Sequence, residues 1–142
     1  MDKKLKDQLS KIKLLICDID GVLTDGSFIK STSGEELRSF NALDGVGFVM
    51  LRLLDLNIKT AWITGRESLT TTQRAEELQI DDIYNGVIRK IDAYNELKKK
   101  YGVLDNEVCF IGDDIIDIPI LEKVGFAVTL QNAPKYISNY SH

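Results

Sequence analysis

Short apolar runs rich in β-branched residues alternate along this chain with longer stretches of helical period. The runs at 13–17, 58–64, 82–85, 108–111 and 126–130 read as strands. Between them Val46, Val49, Met50, Leu53 and Leu54 share one helical face, and Ile91, Tyr94, Leu97 and Tyr101 share another. The second of these helices ends in Lys98-Lys99-Lys100 and Gly102, a solvated, dipole-compensating terminus and not a nucleic-acid patch. The βαβα order predicts an α/β fold, a parallel sheet covered by helices on both faces.

One segment breaks that rhythm. Ser27-Phe28-Ile29-Lys30 and Glu36-Leu37-Arg38-Ser39-Phe40 read as two strands joined by the turn-rich Ser31-Thr32-Ser33-Gly34. A hairpin over 27–40 would project after the first strand, and a two-stranded ribbon without its own core needs a partner surface. Phe28, Ile29, Leu37 and Phe40 therefore point to a lid over the end of the first strand or to an oligomer contact. With no internal repeat, low-complexity stretch or linker, residues 1–142 are expected to form a single domain.

Composition narrows the function classes. A chain of 142 residues with 44% hydrophobic content suits one compact unit with a real core. Its 18 basic and 22 acidic residues, net charge -4, argue against a nucleic-acid-binding surface. The apolar runs fall far short of the roughly 20 residues that span a bilayer. The segment from Met1 to Lys13 has no apolar core of the kind a secretory signal carries, so the expected location is cytoplasmic. Cys17 and Cys109 sit inside predicted strands with no zinc-ligand spacing nearby, and read as small core hydrophobes. The one histidine, His142, is the last residue of the sequence. Unless it folds back, chemistry falls to carboxylates, hydroxyls, lysine and arginine.

The carboxylates are not scattered. Asp18-Ile19-Asp20-Gly21-Val22-Leu23-Thr24-Asp25 follows the first strand, and Gly112-Asp113-Asp114-Ile115-Ile116-Asp117 follows the fourth. Ligands of open α/β sheets bind outside the carboxyl ends of the strands, where both clusters would lie. Carboxylates crowded in this way must share protons or share a cation, and a hard, oxygen-liganded ion such as Mg²⁺ is the simplest answer. An EF-hand does not fit, because Val22 stands at a ligand position and Leu23 where that loop requires glycine.

A phosphomonoester substrate would give each residue a task. Asp18 would be the nucleophile that forms an aspartyl-phosphate, and Asp20 the acid that protonates the leaving oxygen and then activates water. Thr64 and the backbone of Gly65 would hold phosphate oxygens. Lys90, at the start of a predicted helix, would add positive charge. Asp113 would complete the metal site, while Asp114 and Asp117 support it or orient Lys90.

These motifs resemble those of the haloacid dehalogenase superfamily of phosphotransferases: the Asp18 to Asp25 run its first motif, Thr64 its second, Lys90 its third and the Gly112 to Asp117 run its fourth. More closely, the chain resembles a small capless branch of sugar-acid phosphatases, through Gly34-Glu35-Glu36-Leu37, Phe40-Asn41-Ala42-Leu43-Asp44-Gly45, Ile63-Thr64-Gly65-Arg66 and Gly112 to Pro119. The resemblance implies a Rossmann-like sheet without a cap domain and Mg²⁺ held by Asp18, the Asp20 carbonyl and Asp113. It also implies a homotetramer whose projecting hairpins form a central barrel and help close neighbouring sites. The implied substrate is an acidic sugar phosphate, first 3-deoxy-D-manno-octulosonate 8-phosphate of lipopolysaccharide precursor synthesis, with a nonulosonate 9-phosphate as alternative. Arg66 matches the octulosonate branch, where its relative carries glutamate, and Arg66 with Arg74 would bind the acidic sugar. The bland alternative for Arg66 is a surface pair with Glu67 or Glu77.

Relatives of this branch usually continue past the last strand with another short strand and a Gly-Gly-containing tail, whereas the sequence here ends at Asn139-Tyr140-Ser141-His142. A phospho-acceptor receiver domain uses similar residues, but its phosphorylated aspartate follows a different strand from its acidic pair, and the third strand here ends in Asn85-Gly86. A non-catalytic oligomerisation module of a sugar-activating enzyme would be expected to have lost Asp18, Asp20 or Lys90, all of which are present.

Overall fold

The computed structural model describes residues 3–142; Met1 and Asp2, the first two residues of the amino-terminal segment read above, lie outside them. A short helix, α1 (Lys3–Leu9), precedes β1 (Leu14–Cys17). The hairpin strands β2 (Ile29–Lys30) and β3 (Glu36–Leu37) follow, then α2 (Ala42–Leu53), β4 (Lys59–Thr64), α3 (Leu69–Glu77) and β5 (Asp82–Asn85). The chain continues through α4 (Lys90–Tyr101), β6 (Val108–Ile111), α5 (Ile118–Leu121) and β7 (Phe126–Val128). The five long-range strands form one sheet in the order β5-β4-β1-β6-β7, every neighbouring pair parallel.

Strand alternation divides the core into two layers. From β1, Leu14 and Ile16 enter a cluster with Tyr94 and Leu97 of α4 and Ile120 and Leu121 of α5. Cys17 and Leu15 face the other way, towards Phe48 of α2 and Ala75 and Leu78 near α3. The sheet is thus helix-covered on both faces, as the βαβα order predicts. Burial pushes both thiols, Cys17 and Cys109, well above the ordinary cysteine range, in keeping with inert core positions.

The first two strands of the sheet in chain order begin one residue later than expected, at Leu14 and Lys59, and three larger departures affect the packing. The last strand stops at Val128, opposite Ile111 at the end of β6, and not at Leu130. The hairpin keeps only two residues per strand, Ile29 opposite Leu37 and Lys30 opposite Glu36. The third difference is in α2. The face carrying Val46, Val49, Met50, Leu53 and Leu54 is exposed, and the helix instead buries Phe48 against Trp62 of the sheet and Gly45 beside α3. Gly45 lets α2 and α3 approach closely, since a Cβ would stand 2.9 Å from Arg74 Nη2 and 3.1 Å from a Leu78 methyl and displace those side-chain ends.

Parallel pairing brings the carboxyl ends of β1, β4 and β6 side by side, with Cys17 opposite Trp62 and Ile111. Both acidic runs and the Thr64 loop therefore leave the sheet at one edge. His142 does fold back, but to a different place. It stacks on Phe126, and its backbone and Nδ1 bond Ala127 at the edge strand β7.

Candidate active site

Asp18 is the first residue past β1, its N–H still in the ladder to Ile111 O at 2.9 Å, and it is 4% exposed. Its Oδ1 accepts from the Ile19 N–H at 2.7 Å and lies 2.7 Å from Lys90 Nζ. Lys90, the first residue of α4, has a fully buried side chain and also donates to Asp117 Oδ1 at 2.7 Å. Burial works against its ammonium, yet Asp18 and Asp117 together outweigh that cost and hold Lys90 above the ordinary lysine range. The opposite balance holds at Asp18. Burial pushes its carboxyl up and the Lys90 charge only partly restores it.

Asp117 is fully buried and saturated: its Oδ1 takes Lys90, and its Oδ2 accepts from the N–H groups of Asp113 (3.0 Å) and Asp114 (3.2 Å). It therefore orients both Lys90 and the fourth-motif loop. Asp18, Asp113 and Asp117 can each bring one oxygen within 4.8 Å of the others. With Asp117 fully engaged and Asp18 Oδ1 held by the Ile19 N–H and Lys90, the oxygens left for a cation are Asp18 Oδ2 and those of Asp113. Asp113 Oδ1 is buried without a hydrogen-bond partner among the described residues. Burial, then Asp117 and Asp114, push the Asp113 carboxyl up to about 6. An orphaned, buried carboxylate oxygen beside a second carboxylate fits a hard divalent cation, and among the described residues no cysteine or histidine joins the group.

The loop after Asp18 is shaped to approach this cluster. Leu23 and Thr24 donate back to the Ile19 carbonyl at 2.9 and 3.1 Å, and Gly21 turns the chain at φ +94°. A Cβ on Gly21 would fall 1.9 Å from Asp113 Oδ2, so the close contact between the two acidic loops requires glycine. Beyond it, Asp20 receives the Thr64 hydroxyl on Oδ2 at 3.1 Å, and Thr64 Oγ1 accepts the Arg66 N–H at 3.2 Å.

Asp18, Asp20, Gly65, Arg66, Lys90 and Asp114 line a cleft of about 440 Å³, closed on its sides by Gly26, Phe28, Ile88 and Ile116. Asp114 is not tied to Lys90; it accepts from the Ile115 N–H at 2.6 Å and caps the turn there. Arg66 does not pair with Glu67 or Glu77. Its guanidinium stacks 3.7 Å from the Phe28 ring centroid and lies 3.6 Å from Glu36 Oε2, both on the hairpin segment. Arg74 is not brought to the cleft of its own chain. It bonds Glu77 at 3.0 Å and borders a small gap beside Phe48 and Trp62, because α3 carries it onto the face shared with α2.

Arg38 and Glu36, expected only as hairpin residues, prove to be part of the site. Arg38, one residue past β3, has a fully buried side chain, with Nη1 2.9 Å from Asp20 Oδ1 and 3.2 Å from Thr71 Oγ1 and with Nε 3.0 Å from Glu36 Oε1. The signal was present in the strand's period of two. Glu36 and Arg38 share one face of the strand and Leu37 takes the other.

With this geometry in view, the chain belongs to the haloacid dehalogenase-like hydrolases, whose family pattern matches residues 62–142. Among curated relatives, it is similar to the 3-deoxy-D-manno-octulosonate 8-phosphate phosphatase of Salmonella typhi, 41% identical over 122 residues. That match covers 86% of this chain and 64% of the relative, so the chain spans less than two thirds of the relative's length. The crystal structure of the enzyme of that name from Yersinia pestis superposes with a TM-score of 0.94 at 36% identity, over 100% of this chain and 76% of that one. Its counterpart from Moraxella catarrhalis, solved with a magnesium ion, a phosphate ion and a KDO molecule, superposes with a TM-score of 0.93 at 33% identity, over 99% and 80%.

Proposed function

We propose that this chain is a Mg²⁺-dependent phosphomonoesterase acting on an acidic sugar phosphate through an aspartyl-phosphate on Asp18, with 3-deoxy-D-manno-octulosonate 8-phosphate as substrate. The observation that carries the reading is the Asp18–Lys90–Asp117 array, a buried carboxylate held in one orientation at a cleft of phosphate-ester size. The similar phosphatases supply the substrate class, and a cationic Arg66 at the cleft suits the sugar's carboxylate.

In this reading Asp18 attacks phosphorus in line while Asp20, held by Thr64, gives a proton to the departing sugar oxygen. Asp20 then takes a proton from the water that splits the acyl phosphate. Lys90 holds the Asp18 carboxylate in place, and the backbone N–H groups of the loop after Thr64 receive phosphoryl oxygens. Asp18, Asp113 and the Asp20 carbonyl would hold Mg²⁺, which when bound would neutralise charge on the phosphate dianion and the attacking carboxylate. Asp117 and Asp114 shape the loop around it.

The test is phosphate release measured side by side on octulosonate 8-phosphate, a nonulosonate 9-phosphate and small phosphomonoesters, with and without chelator. The highest kcat/KM is expected on octulosonate 8-phosphate, with activity abolished by chelation and restored by Mg²⁺. Preference for the nonulosonate ester would move the substrate, and full activity in metal-stripped protein would remove the metal from the account.

The proposal extends to the assembly. Residues 1–142 act as one domain in a cytoplasmic homotetramer joined through the 27–40 hairpin, where Ile29 and Leu37 are 68% and 60% exposed. No helix among the described residues is long and apolar enough to cross a membrane. Sedimentation at micromolar concentration is expected to give a tetramer; a monomer fully active at nanomolar concentration would exclude the shared barrel.

A further inference from the structure

We infer that Arg38 is a positioning residue for the acid–base carboxylate Asp20, so that the hairpin sets the geometry of proton transfer. The inference rests on the phosphatase reading above. Asp20 is held on both oxygens: Thr64 Oγ1 donates to Oδ2 at 3.1 Å, and Arg38 Nη1 stands 2.9 Å from Oδ1. The Arg38 contact is an ion pair without an aligned hydrogen bond, and Oδ1 is buried with no hydrogen-bond partner among the described residues, so the guanidinium is what fixes that side of the carboxylate. The Asp20 side chain is 28% exposed, so with Thr64 as its only tether the carboxylate could turn towards solvent.

The surroundings of Arg38 argue against a purely structural part. Its side chain is fully buried, and Nη2 has no hydrogen-bond partner among the described residues. Buried ionic groups are commonly replaced by apolar residues of similar volume at no loss of stability, so packing alone does not call for a guanidinium here. The fork is instead fixed from two sides. Glu36 Oε1 accepts from Nε at 3.0 Å, and Thr71 of α3 accepts from Nη1 at 3.2 Å. Glu36 also reaches Arg66 at 3.6 Å through its other oxygen, which joins the cleft arginine and the acid–base carboxylate through one hairpin residue.

A positioning role differs from a structural one in its dependence on the leaving group. Dinitrophenolate departs without a proton, whereas an alkoxide needs one from Asp20. We expect Arg38→Met to lower kcat/KM at least 10-fold more on an alkyl phosphate than on 2,4-dinitrophenyl phosphate, against the ~10²–10⁴-fold that a positioned acid supplies in full. Arg38→Lys, which keeps the charge but cannot bridge Asp20, Glu36 and Thr71 together, should show a smaller loss of the same kind. In an Asp20→Asn background, Arg38→Met should add no further leaving-group dependence. If Arg38→Met does not fold, Arg38→Lys alone carries the comparison. Equal losses on the two esters, or no loss on either, would overturn the inference while leaving the phosphatase reading intact. A wild-type protein that releases phosphate from neither ester would overturn that reading itself.

Discussion

Asp18→Asn is expected to lose on the order of 10⁴-fold or more in kcat, the scale of removing a covalent nucleophile, while the protein stays folded and still binds phosphate. The amide keeps the volume of the carboxylate and an oxygen for the Ile19 N–H, which Asp18 now meets at 2.7 Å. Lys90 keeps its 2.7 Å contact with Asp117, so no buried charge is left alone. Removing one negative charge from beside Asp113 and Asp117 relieves crowding, so the unfolding temperature should not fall. Turnover assays with circular dichroism melts and phosphate titration check this directly. Near-wild-type turnover would show that Asp18 is not the attacking group.

Lys90→Met should have a large effect on stability as well as on rate. The substitution fills similar space but leaves Asp18 and Asp117 buried without their shared cation, and removing one partner of a buried ion pair costs about 3–5 kcal/mol. For a chain of this size that corresponds to a fall in melting temperature on the order of 10 °C or more. The loss should spread to the fourth-motif loop, because Asp117 receives the Asp113 and Asp114 N–H groups only while its carboxylate stays in place. Thermal unfolding of Lys90→Met beside Asp117→Asn checks the coupling. The double variant should be less destabilised than the sum of the two single changes, since each removes what makes the other costly.

The two acidic loops were legible because strand and chemistry are written in adjacent residues. An apolar run that ends abruptly in aspartate fixes both the strand end and the sheet edge, as at Cys17-Asp18 and at Ile111 before Gly112-Asp113. Lys90 was legible as a helix start, and its pairing with Asp117 follows from placing α4 and the β6 loop on one side of the sheet. What escaped the sequence depends on contacts between distant segments. Arg38 reaches Asp20 only because the hairpin folds over the cleft, and hairpin residues drew notice for their apolar members, not for the charges between them. The α2 stripe misled for a related reason. Periodicity reveals that Val46, Val49, Met50, Leu53 and Leu54 share a face, but not whether the sheet covers it; Phe48 takes the sheet contact on Trp62, with Gly45 beside it permitting the close approach to α3. Arg74 follows Arg66 by two turns of chain, yet α3 turns it to the far side.

The covalent role of Asp18 can be observed directly in Asp20→Asn protein given 2,4-dinitrophenyl phosphate. The leaving group then needs no acid, whereas breakdown of the aspartyl-phosphate still needs the missing base, so the intermediate should accumulate. The account predicts a burst of one equivalent of dinitrophenolate per active chain, and intact-protein and peptide mass spectra showing one added phosphoryl group on Asp18. Steady release without a burst from unmodified protein, or a phosphoryl group on any other residue, would contradict it.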